Sequence, residues 1–561
     1  MNMKHLSILL TSMLTLSACC PHQPPSCADA INRLCSDANA KGEELSLGKY
    51  KEPITMKIAF SLPNEPSKLA QGDTYEDNPW SRYFEGKTNI KVLHSWQAMG
   101  EGNAYRQKVD EAIAANDLPD AFTVNRQQLR TLVEKDMLVD LSEAYSKYAS
   151  PLVKEMYDST HGVAMKDVTF RGKLMALPNI EVEADSVLLT WIRQDWLDKL
   201  QLSSPQTLID LEKIAKAFIE QDPDGNGKQD TIGMPGDHSF TPVFAAYHSF
   251  PKSWRRDRNG QMQYGSIAPE TKEALAKLAA WYKEGIIDSD FGLRKEPNEL
   301  IIANKAGILI GSWLAPYGPL KASIKSDTTA EWRAYTTPLD NEGKFVSQMD
   351  PITNRYLVVK KGYPYPEAAI RLLNQFTQYE RVDSYLTTTG NDQNTTLQLL
   401  KSYRETNNVQ PRYLYPFDLP LDYVDSAGRA YKAVKNVLEG KILAEKLPPP
   451  YLSLYKNVLL DQENPKKNLD AWASAQARQH GASVIVQASI ERIYSEFSDS
   501  AATIDPRWTH LESMEHDAFL NIIRGNAPLD SFDHFVQQWK EQGGETITQE
   551  IQKRVERKFM K

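Results

Sequence analysis

The chain has 561 residues and a formal net charge of −8, from 65 basic and 73 acidic residues. An acidic chain without a basic cluster lacks the positive surface that nucleic acid requires, so no nucleic-acid partner is expected. The four cysteines, Cys19, Cys20, Cys27 and Cys35, all precede the predicted folded body. That body therefore needs no disulfide, catalytic thiol or zinc-thiolate centre.

The amino terminus carries a targeting pattern. Leu6 to Leu16 is an apolar run that is too short to span a bilayer. It ends in Leu16-Ser17-Ala18-Cys19, which resembles the lipobox of bacterial lipoproteins. The resemblance implies a signal peptide over 1–18, cleavage before Cys19 and lipidation (palmitate) of that cysteine, which would anchor the protein to the membrane. The alternative is an ordinary signal peptide with a chance cysteine at the cleavage site.

After the amino terminus, strands and helices alternate. Residues 19–53 are rich in Pro, Ser, Ala, Lys and Glu and predict a flexible tether. Strands are predicted at Ile54 to Phe60, Ile90 to Leu93, Ala121 to Val124, Ser186 to Ile192, Ala306 to Ile310 and Tyr356 to Lys360, and helices over Tyr105 to Ala115 and from Thr207, Pro269 and Pro366. This alternation predicts an α/β fold with largely parallel sheets.

The stretch from Asp222 to Gly233 has the ligand order of a calcium loop. Oxygen-bearing side chains fall at positions 1, 3, 5 and 9, and Gly227 stands at position 6, where such a loop turns sharply. Position 12 is Gly233 instead of a bidentate glutamate, so Asp237, a bidentate Asp230 or water would complete the shell. The alternative is a metal-free turn. The predicted calcium ligands are the side chains of Asp222, Asp224, Asn226 and Asp230 and the carbonyl of Lys228.

Several ordered segments resemble the extracellular solute-binding proteins of ABC importers, family 1. They are Tyr105 to Asp120, Gly172 to Pro178, Trp191 to Leu197, Tyr282 to Asp288 and Pro366 to Ala369. The calcium loop resembles that of the branch that binds alginate and uronate oligosaccharides. The resemblance covers roughly 54–561, although Asn116-Asp117 and Thr231 depart from the family's pattern.

The resemblance implies a two-lobed periplasmic-binding-protein-like fold of type II, with interleaved lobes, a hinge and a central cleft. The expected N-terminal lobe comprises 54–180 and 353–420, and the expected C-terminal lobe comprises 181–352 and 421–561. Chain crossings are expected near 176–183, 345–353 and 416–426. The ligand would bind between lobes that close by a hinge.

Sugars present apolar C–H faces, which pack on aromatic rings, and hydroxyl groups, which bind polar side chains. Tryptophans at predicted strand ends and in loops are therefore candidate contacts, and each is alternatively a core residue. The resemblance favours Trp313, since the family places a stacking aromatic there. The substrate-binding candidates are Trp313, Trp80, Trp96, Arg193, Trp254 and Tyr317, whereas Trp196, Trp281 and Trp539 are expected in the core.

No hydrolase, zinc-protease or phosphate-loop motif is present. The expected function is a monomeric binding lipoprotein, not an enzyme, on the extracellular face of the bacterial membrane. It would deliver an oligosaccharide to an ABC permease. A lipid-anchored glycoside hydrolase stays open because two carboxylates need only meet in space. A peptide or sensory receptor on the same fold also stays open.

Overall fold

The computed structural model describes residues 45–64, 69–99, 102–236, 240–389, 395–410, 413–499, 501 and 505–559. The predicted signal peptide, Cys19, most of the tether and Asp237 lie outside these residues. Within these ranges, no helix combines the length and the apolar character needed to cross a membrane.

The secondary structure follows the alternation expected from the sequence. The strands are β1 Ile54–Leu62, β2 Ile90–Met99, β3 Ala121–Val124, β4 Thr169–Phe170, β5 Lys173–Leu174, β6 Leu177–Pro178, β7 Leu188–Arg193, β8 Trp254–Arg256, β9 Met262–Tyr264, β10 Ile308–Ser312, β11 Trp332–Tyr335, β12 Phe345–Met349, β13 Tyr356–Val359 and β14 Ile490–Tyr494. The helices up to the second chain crossing are α1 Pro79–Thr88, α2 Asn103–Ala115, α3 Arg126–Glu134, α4 Ser142–Tyr148, α5 Pro151–Asp158, α6 Val163–Asp167, α7 Gln194–Lys199, α8 Leu208–Glu220, α9 Thr241–Ala246, α10 Pro269–Lys283, α11 Glu299–Ile302 and α12 Pro319–Ser326. The later helices are α13 Glu367–Thr389, α14 Thr395–Thr406, α15 Ser426–Leu438, α16 Pro449–Glu463, α17 Leu469–Gln476, α18 Ser483–Gln487, α19 Trp508–Ile523, α20 Ser531–Trp539 and α21 Glu545–Phe559.

The first lobe is built on a five-stranded sheet of order β2-β1-β3-β13-β6. Strand β1 is parallel to β2 and β3, with Ile58 opposite Ala121, while β13 is antiparallel to both β3 and β6. From Ile54 to Ile58, buried residues alternate with exposed Thr55 and Lys57, and Ala59 and Phe60 are then buried as well. One hydrophobic core collects side chains from 54–180 and 356–421.

The second lobe has an antiparallel sheet, which corrects the expectation of largely parallel pairing. Strands β10 and β11 flank β7 and both run antiparallel to it. Strands β12 and β14 pair in parallel and form a separate two-stranded sheet. Two large cores in this lobe collect side chains from 184–349 and 427–485, and from 192–308 and 497–555. The two-lobed α/β fold is therefore confirmed.

Local sequence signals set several element ends. The Thr207 side chain accepts a hydrogen bond from the Asp210 backbone, and Asp210 caps Thr207 in return, so α8 begins with the predicted capping box. Gly285 follows α10 with a φ of 74°, a left-handed conformation that costs little only without a Cβ. Both signals lie within a few residues of the structure they fix, which is why the sequence alone predicts them.

Three backbone segments run side by side between the two sets of cores. The Asn179 amide donates to the Arg355 carbonyl at 2.9 Å, and the Glu181 amide donates to the Ile352 carbonyl at 2.8 Å. On the other flank, the Glu183 amide donates to the Val424 carbonyl at 2.9 Å. Segments 178–183, 352–355 and 420–424 thus form a three-stranded connection between the lobes.

Candidate functional site

A cavity of about 490 Å³ opens at the carboxyl ends of β1 and β3 in the first lobe. Parallel strands end there together, and ligands bind at such edges in many α/β folds. Its wall mixes aromatic and polar groups, which include Phe60, Tyr105, Asn125, Gln128, Asn354 and Asp418. The volume lies within the range usual for small-molecule sites. The composition suits a ligand with both apolar faces and hydroxyl groups.

Hydrogen bonds hold the polar side chains of this cavity in place. The Tyr105 hydroxyl donates to the Thr123 carbonyl at 3.1 Å, which turns the phenol ring along the cavity wall. The Gln128 amide nitrogen donates to the Arg106 carbonyl at 2.9 Å. Burial raises the pKa of Tyr105 to about 12, so its hydroxyl stays protonated at neutral pH. The wall is therefore ordered before any ligand arrives.

The floor of the cavity continues into the connection between the lobes. Arg355 lines the cavity and donates to Asp418 at 2.5 Å, and its guanidinium lies 3.7 Å from Glu181. Asn179 is fully buried, and its side-chain oxygen accepts from the Asn354 and Arg355 amides at 2.9 Å each. One buried amide thus ties the first crossing to the second, directly beneath the cavity.

A second group of side chains lies on the other lobe, next to the same connection. The Trp313 indole nitrogen donates to Asp185 at 2.8 Å, and the Arg478 guanidinium stacks on the Trp313 ring at 4.2 Å. Burial raises the pKa of Asp185, and the charge of Glu181 raises it further. Glu181 therefore interacts with two groups. It attracts the Arg355 guanidinium of the cavity, and its negative charge repels the Asp185 carboxylate of this wall.

Ion pairs also join the lobes at the side of the cavity. Arg130, in α3 of the first lobe, pairs with Asp499 of the second lobe, and Arg126 lies 3.5 Å from the same carboxylate. Arg126 also pairs with Asp167, and it donates to the Thr353 carbonyl of the second crossing at 3.3 Å. The Asp499 side chain is only 3 % exposed. This cluster connects α3 to the opposite lobe independently of the three crossings.

A second cavity, of about 580 Å³, lies beside the edge strand β2. His94 and Tyr75 line it, and the His94 ring stacks on Phe60 at 4.2 Å. Burial lowers the pKa of His94 to about 4, so the ring is neutral at physiological pH. Because Phe60 also lines the first cavity, this stacked pair forms the partition between the two cavities.

Three of the sequence-predicted contacts are in the core, which corrects their expected position in a cleft. Trp80 is fully buried, and its indole nitrogen donates to the Leu400 carbonyl at 3.2 Å. Trp254 is buried against Tyr264 at 4.8 Å between ring centroids. Arg193 is 1 % exposed and is bound by Asp195 at 2.7 Å and Asp327 at 3.0 Å, so it makes a structural ion pair.

The other three predicted contacts lie nearer the cleft. Trp96 is half-buried and packs on Tyr105 of the cavity wall at 5.3 Å. Trp313 is 4 % exposed, because Arg478 covers one face, so little of the ring is open for stacking. Tyr317, in the short helical turn Ala315–Tyr317, is 41 % exposed on the same wall. Trp196, Trp281 and Trp539 are buried as predicted.

The predicted calcium loop follows α8 in the second lobe. The Gly227 amide donates to Asp222 Oδ2 at 2.9 Å, so the chain folds back over its first carboxylate. Asp222 Oδ1 is shielded from solvent and has no hydrogen-bond partner among the described residues. The Asn226 side-chain nitrogen donates to Asp224 at 2.7 Å and to Asp230 at 3.0 Å. The amide thus occupies the space between two carboxylates where a cation would be attracted.

The loop's charges are compensated by lysines. Lys199 Nζ donates to the Pro223 carbonyl at 2.8 Å, and Lys305 Nζ lies 3.5 Å from Asp230. Across the described residues, no three acidic, histidine or cysteine side chains are gathered as a metal centre. The oxygen ligand types and the unpartnered Asp222 Oδ1 nevertheless suit a hard cation such as Ca²⁺.

The sequence did not point to Asn179, Arg355, Asp418 or Arg478. Asn179 follows the Gly172 to Pro178 segment directly, so its position at a crossing is the one signal that was available. Arg478 lies in an alanine-rich helical stretch in which nothing marks it as functional. Its contact with Trp313 forms only when the turn after α17 and the loop after β10 are brought together.

Comparison with known proteins identifies the family. The sequence profile of the bacterial extracellular solute-binding proteins matches residues 81–396, more than half of the chain. The chain belongs to this family. The profile covers most of α1 and all of α2 to α13, and it includes Tyr105, Asn125, Gln128 and Arg355 of the cavity at the ends of β1 and β3.

Named relatives match over part of their length. The polygalacturonan/rhamnogalacturonan-binding protein YtcQ of Bacillus subtilis is 27 % identical over 41 % of this chain and 45 % of its own. Lipoprotein LipO of the same organism is 24 % identical over 46 % and 50 %. The fructooligosaccharide ABC transporter substrate-binding protein FusA of Streptococcus pneumoniae is 24 % identical over 51 % and 52 %. The chain spans about half the length of these curated relatives.

Solved structures share the fold over nearly the whole chain. An extracellular solute-binding protein from Bifidobacterium longum subsp. infantis has a TM-score of 0.59 at 16 % identity, covering 91 % of this chain and 99 % of that one. Alginate-binding protein AlgQ2 without calcium ion has a TM-score of 0.52 at 17 % identity, covering 90 % and 99 %. At these identities the likeness establishes the two-lobed fold alone.

Proposed function

We propose that this protein is the substrate-binding component of an ABC importer and binds an oligosaccharide between its lobes. The observation that carries the proposal is the cavity of about 490 Å³ with aromatic and amide walls, placed against the connection between the lobes. A ligand there would contact Tyr105 and Asn125 of the first lobe and reach toward Asp185 of the second. It would favour the closed state only by contacting both walls.

Membership in the extracellular solute-binding family supports a binding role, and two relatives are named for polygalacturonan/rhamnogalacturonan and for fructooligosaccharide. We propose that the ligand is released unchanged to a membrane permease. A thermal-shift and calorimetry panel of oligosaccharides and peptides tests this proposal. Stabilisation by oligosaccharides, with the sugar recovered intact by mass spectrometry, supports transport. A shortened sugar would show the glycoside hydrolase instead, and stabilisation by peptides alone would show the peptide receptor.

We further propose that the loop from Asp222 to Asp230 binds a structural Ca²⁺. The ion would be held by the carboxylates of Asp222, Asp224 and Asp230, the Asn226 side chain after its amide turns over, and the Lys228 carbonyl. Bound there, Ca²⁺ supplies positive charge that clips the end of α8 to the following chain. AlgQ2 is described in a calcium-free form, which is consistent with a calcium-binding relative. Calcium titration of the Asp222→Asn variant by calorimetry tests the ligand set.

We also propose that Cys19 carries lipid and holds the protein, as a monomer, at the extracellular face of the cell membrane. The lipoprotein name of a relative and the Leu16-Ser17-Ala18-Cys19 sequence support this proposal. Two or more acyl chains on one residue give stable anchoring, whereas one chain is marginal. Expression of the Cys19→Ala variant tests it, because the unlipidated protein would leave the membrane fraction.

A further inference from the structure

Arg478 projects from an irregular turn in the second lobe. Between α17 and α18 the helix widens into a π-helical turn, Ala477–Ala482. Such turns displace side chains from the regular helical register and are frequent at functional sites. Gly481 allows the turn to approach the loop after β10, because a Cβ there would lie 2.7 Å from the Trp313 carbonyl oxygen. The turn and the Trp313 loop are therefore fitted to each other.

The Arg478 guanidinium lies over the Trp313 indole, with its central carbon 4.2 Å from the ring centroid. The indole is in turn fixed by its 2.8 Å hydrogen bond to Asp185. A cation on a tryptophan face is an orienting contact that leaves the N–H donors at the guanidinium edge available. Trp313 thus serves as a platform for Arg478, and not as the stacking surface that the sequence suggested.

Two donors on this guanidinium are buried without acceptors. Arg478 Nε and Nη1 have no hydrogen-bond partner among the described residues. A buried, unsatisfied charged donor costs more than a neutral one, so such a group calls for an explanation in a folded protein. Burial lowers the pKa of Arg478, and contact with Tyr317 and the charge of Asp185 act in the opposite direction. Ligand oxygen atoms would satisfy these donors.

The charge around Arg478 restricts which oxygen atoms fit. Asp185 and Asp422 both act on the guanidinium, and Glu181 acts on Asp185. Two carboxylates therefore act on this cation, while Glu181 lies 3.7 Å from the Arg355 guanidinium. A further carboxylate from a uronic acid would be repelled by these groups, since like charges nearby disfavour one another. A neutral hydroxyl can accept from Arg478 and donate to Asp185, whose carboxylate is partly desolvated but still reached by solvent, at the same time.

We propose that Arg478, held on Trp313 and flanked by Asp185, is a ligand-contacting residue of the second lobe that selects an uncharged sugar unit. The inference rests on the proposed function, because it assigns a specificity to the same cleft. It adds a residue outside the aromatic candidates, and it separates neutral oligosaccharides from uronate oligosaccharides as the preferred class.

The test compares wild type with Arg478→Gln and Arg478→Lys by calorimetry. The ligands are fructo-, gluco- and xylo-oligosaccharides, together with oligogalacturonates and oligoalginates, each of two to six units. Arg554→Gln is the matched control, because Arg554 pairs with Glu550 at 3.1 Å on the last helix. We expect the tightest ligand to be uncharged and Arg478→Gln to weaken it about ten- to hundredfold, the range for a charged hydrogen bond. Arg478→Lys should be intermediate and the control unchanged.

The melting temperature without ligand distinguishes binding from a structural role. Removing an unsatisfied buried cation should leave that temperature unchanged or higher in Arg478→Gln. Wild-type affinity in Arg478→Gln, or a loss of affinity that only follows a lower melting temperature, would overturn the assignment of Arg478. A uronate as the tightest ligand would overturn the charge selection. If no oligosaccharide bound wild type, the proposed function would fail and this inference with it.

Discussion

Replacing Asp499 by asparagine should favour separation of the lobes. Asp499 is the carboxylate shared by Arg126 and Arg130 across the side of the cavity. Breaking a buried ion pair costs about 3–5 kcal/mol, and an exposed pair contributes about 0–1 kcal/mol. Asp499 is buried while Arg130 is 31 % exposed, so we place the loss between these ranges, at about 2 kcal/mol.

We expect that loss to fall on the closed state, because separation of the lobes would move α3 away from the Asp499 segment. If the ligand binds the closed state, apparent affinity falls with the closed fraction. About 2 kcal/mol corresponds to roughly thirtyfold at most, since 1.4 kcal/mol is tenfold. Calorimetry with the tightest oligosaccharide measures the affinity, and small-angle scattering of the free protein measures the lobe separation. Wild type should also lose affinity as salt rises, because Arg130 is partly exposed.

Asp505→Asn is the matched control. Asp505 pairs with Arg507 at 2.5 Å within the second lobe, so its loss removes an ion pair without touching the contact between lobes. Affinity and scattering should match wild type. If Asp499→Asn also matched wild type in both measurements, the Arg126–Asp499–Arg130 cluster would have no part in closure.

Three further outcomes are expected. Glu515 is buried and accepts from the Tyr264 hydroxyl at 2.8 Å, and burial raises its pKa from 4.5 to about 6. The folded state therefore keeps this proton longer than the unfolded state, so stability falls by about 2 kcal/mol as pH rises from about 4.5 to above 6. Glu515→Gln should melt higher than wild type at pH 7 but not at pH 4.5; equal curves at both would contradict this. Chelator should lower the melting temperature of calcium-loaded wild type but not of Asp222→Asn, and an unchanged wild-type curve would remove the calcium proposal. Trp80→Ala should cost about 3–5 kcal/mol in unfolding by denaturant while the folded fraction binds ligand normally; weaker binding by folded protein would place Trp80 in the site.

Local patterns explain what the sequence predicted correctly. The alternation at the start of β1 and the Thr207–Asp210 capping box depend on neighbours within a few residues, so the sequence alone predicts them. Strand direction does not have this property. The pairing of β7 with β10 and β11 is antiparallel because the intervening chain returns in the opposite sense, which the strand sequences do not encode.

The candidate contacts show the same limit. Trp80 follows a proline at a helix start. This local sequence is the same whether the ring faces a cleft or enters the core, so it does not predict the burial of Trp80. Arg193 is neutralised partly by Asp327, more than a hundred residues away in the chain. For Arg478 the sequence contains no indication of a binding site, because its contact with Trp313 exists only in the folded protein. Long-range partners, and not residue type, decide which of these side chains is free to bind.

The buried amide of Asn179, together with the adjoining backbone hydrogen bonds, has a mechanical consequence. A single linker would let the two lobes rotate about any axis. Three backbone segments that are hydrogen-bonded side by side resist shear and twisting. They bend easily about one axis only. The lobes should therefore rotate about a single hinge axis. Residues that face each other across the cleft would then meet in the same alignment each time the lobes close.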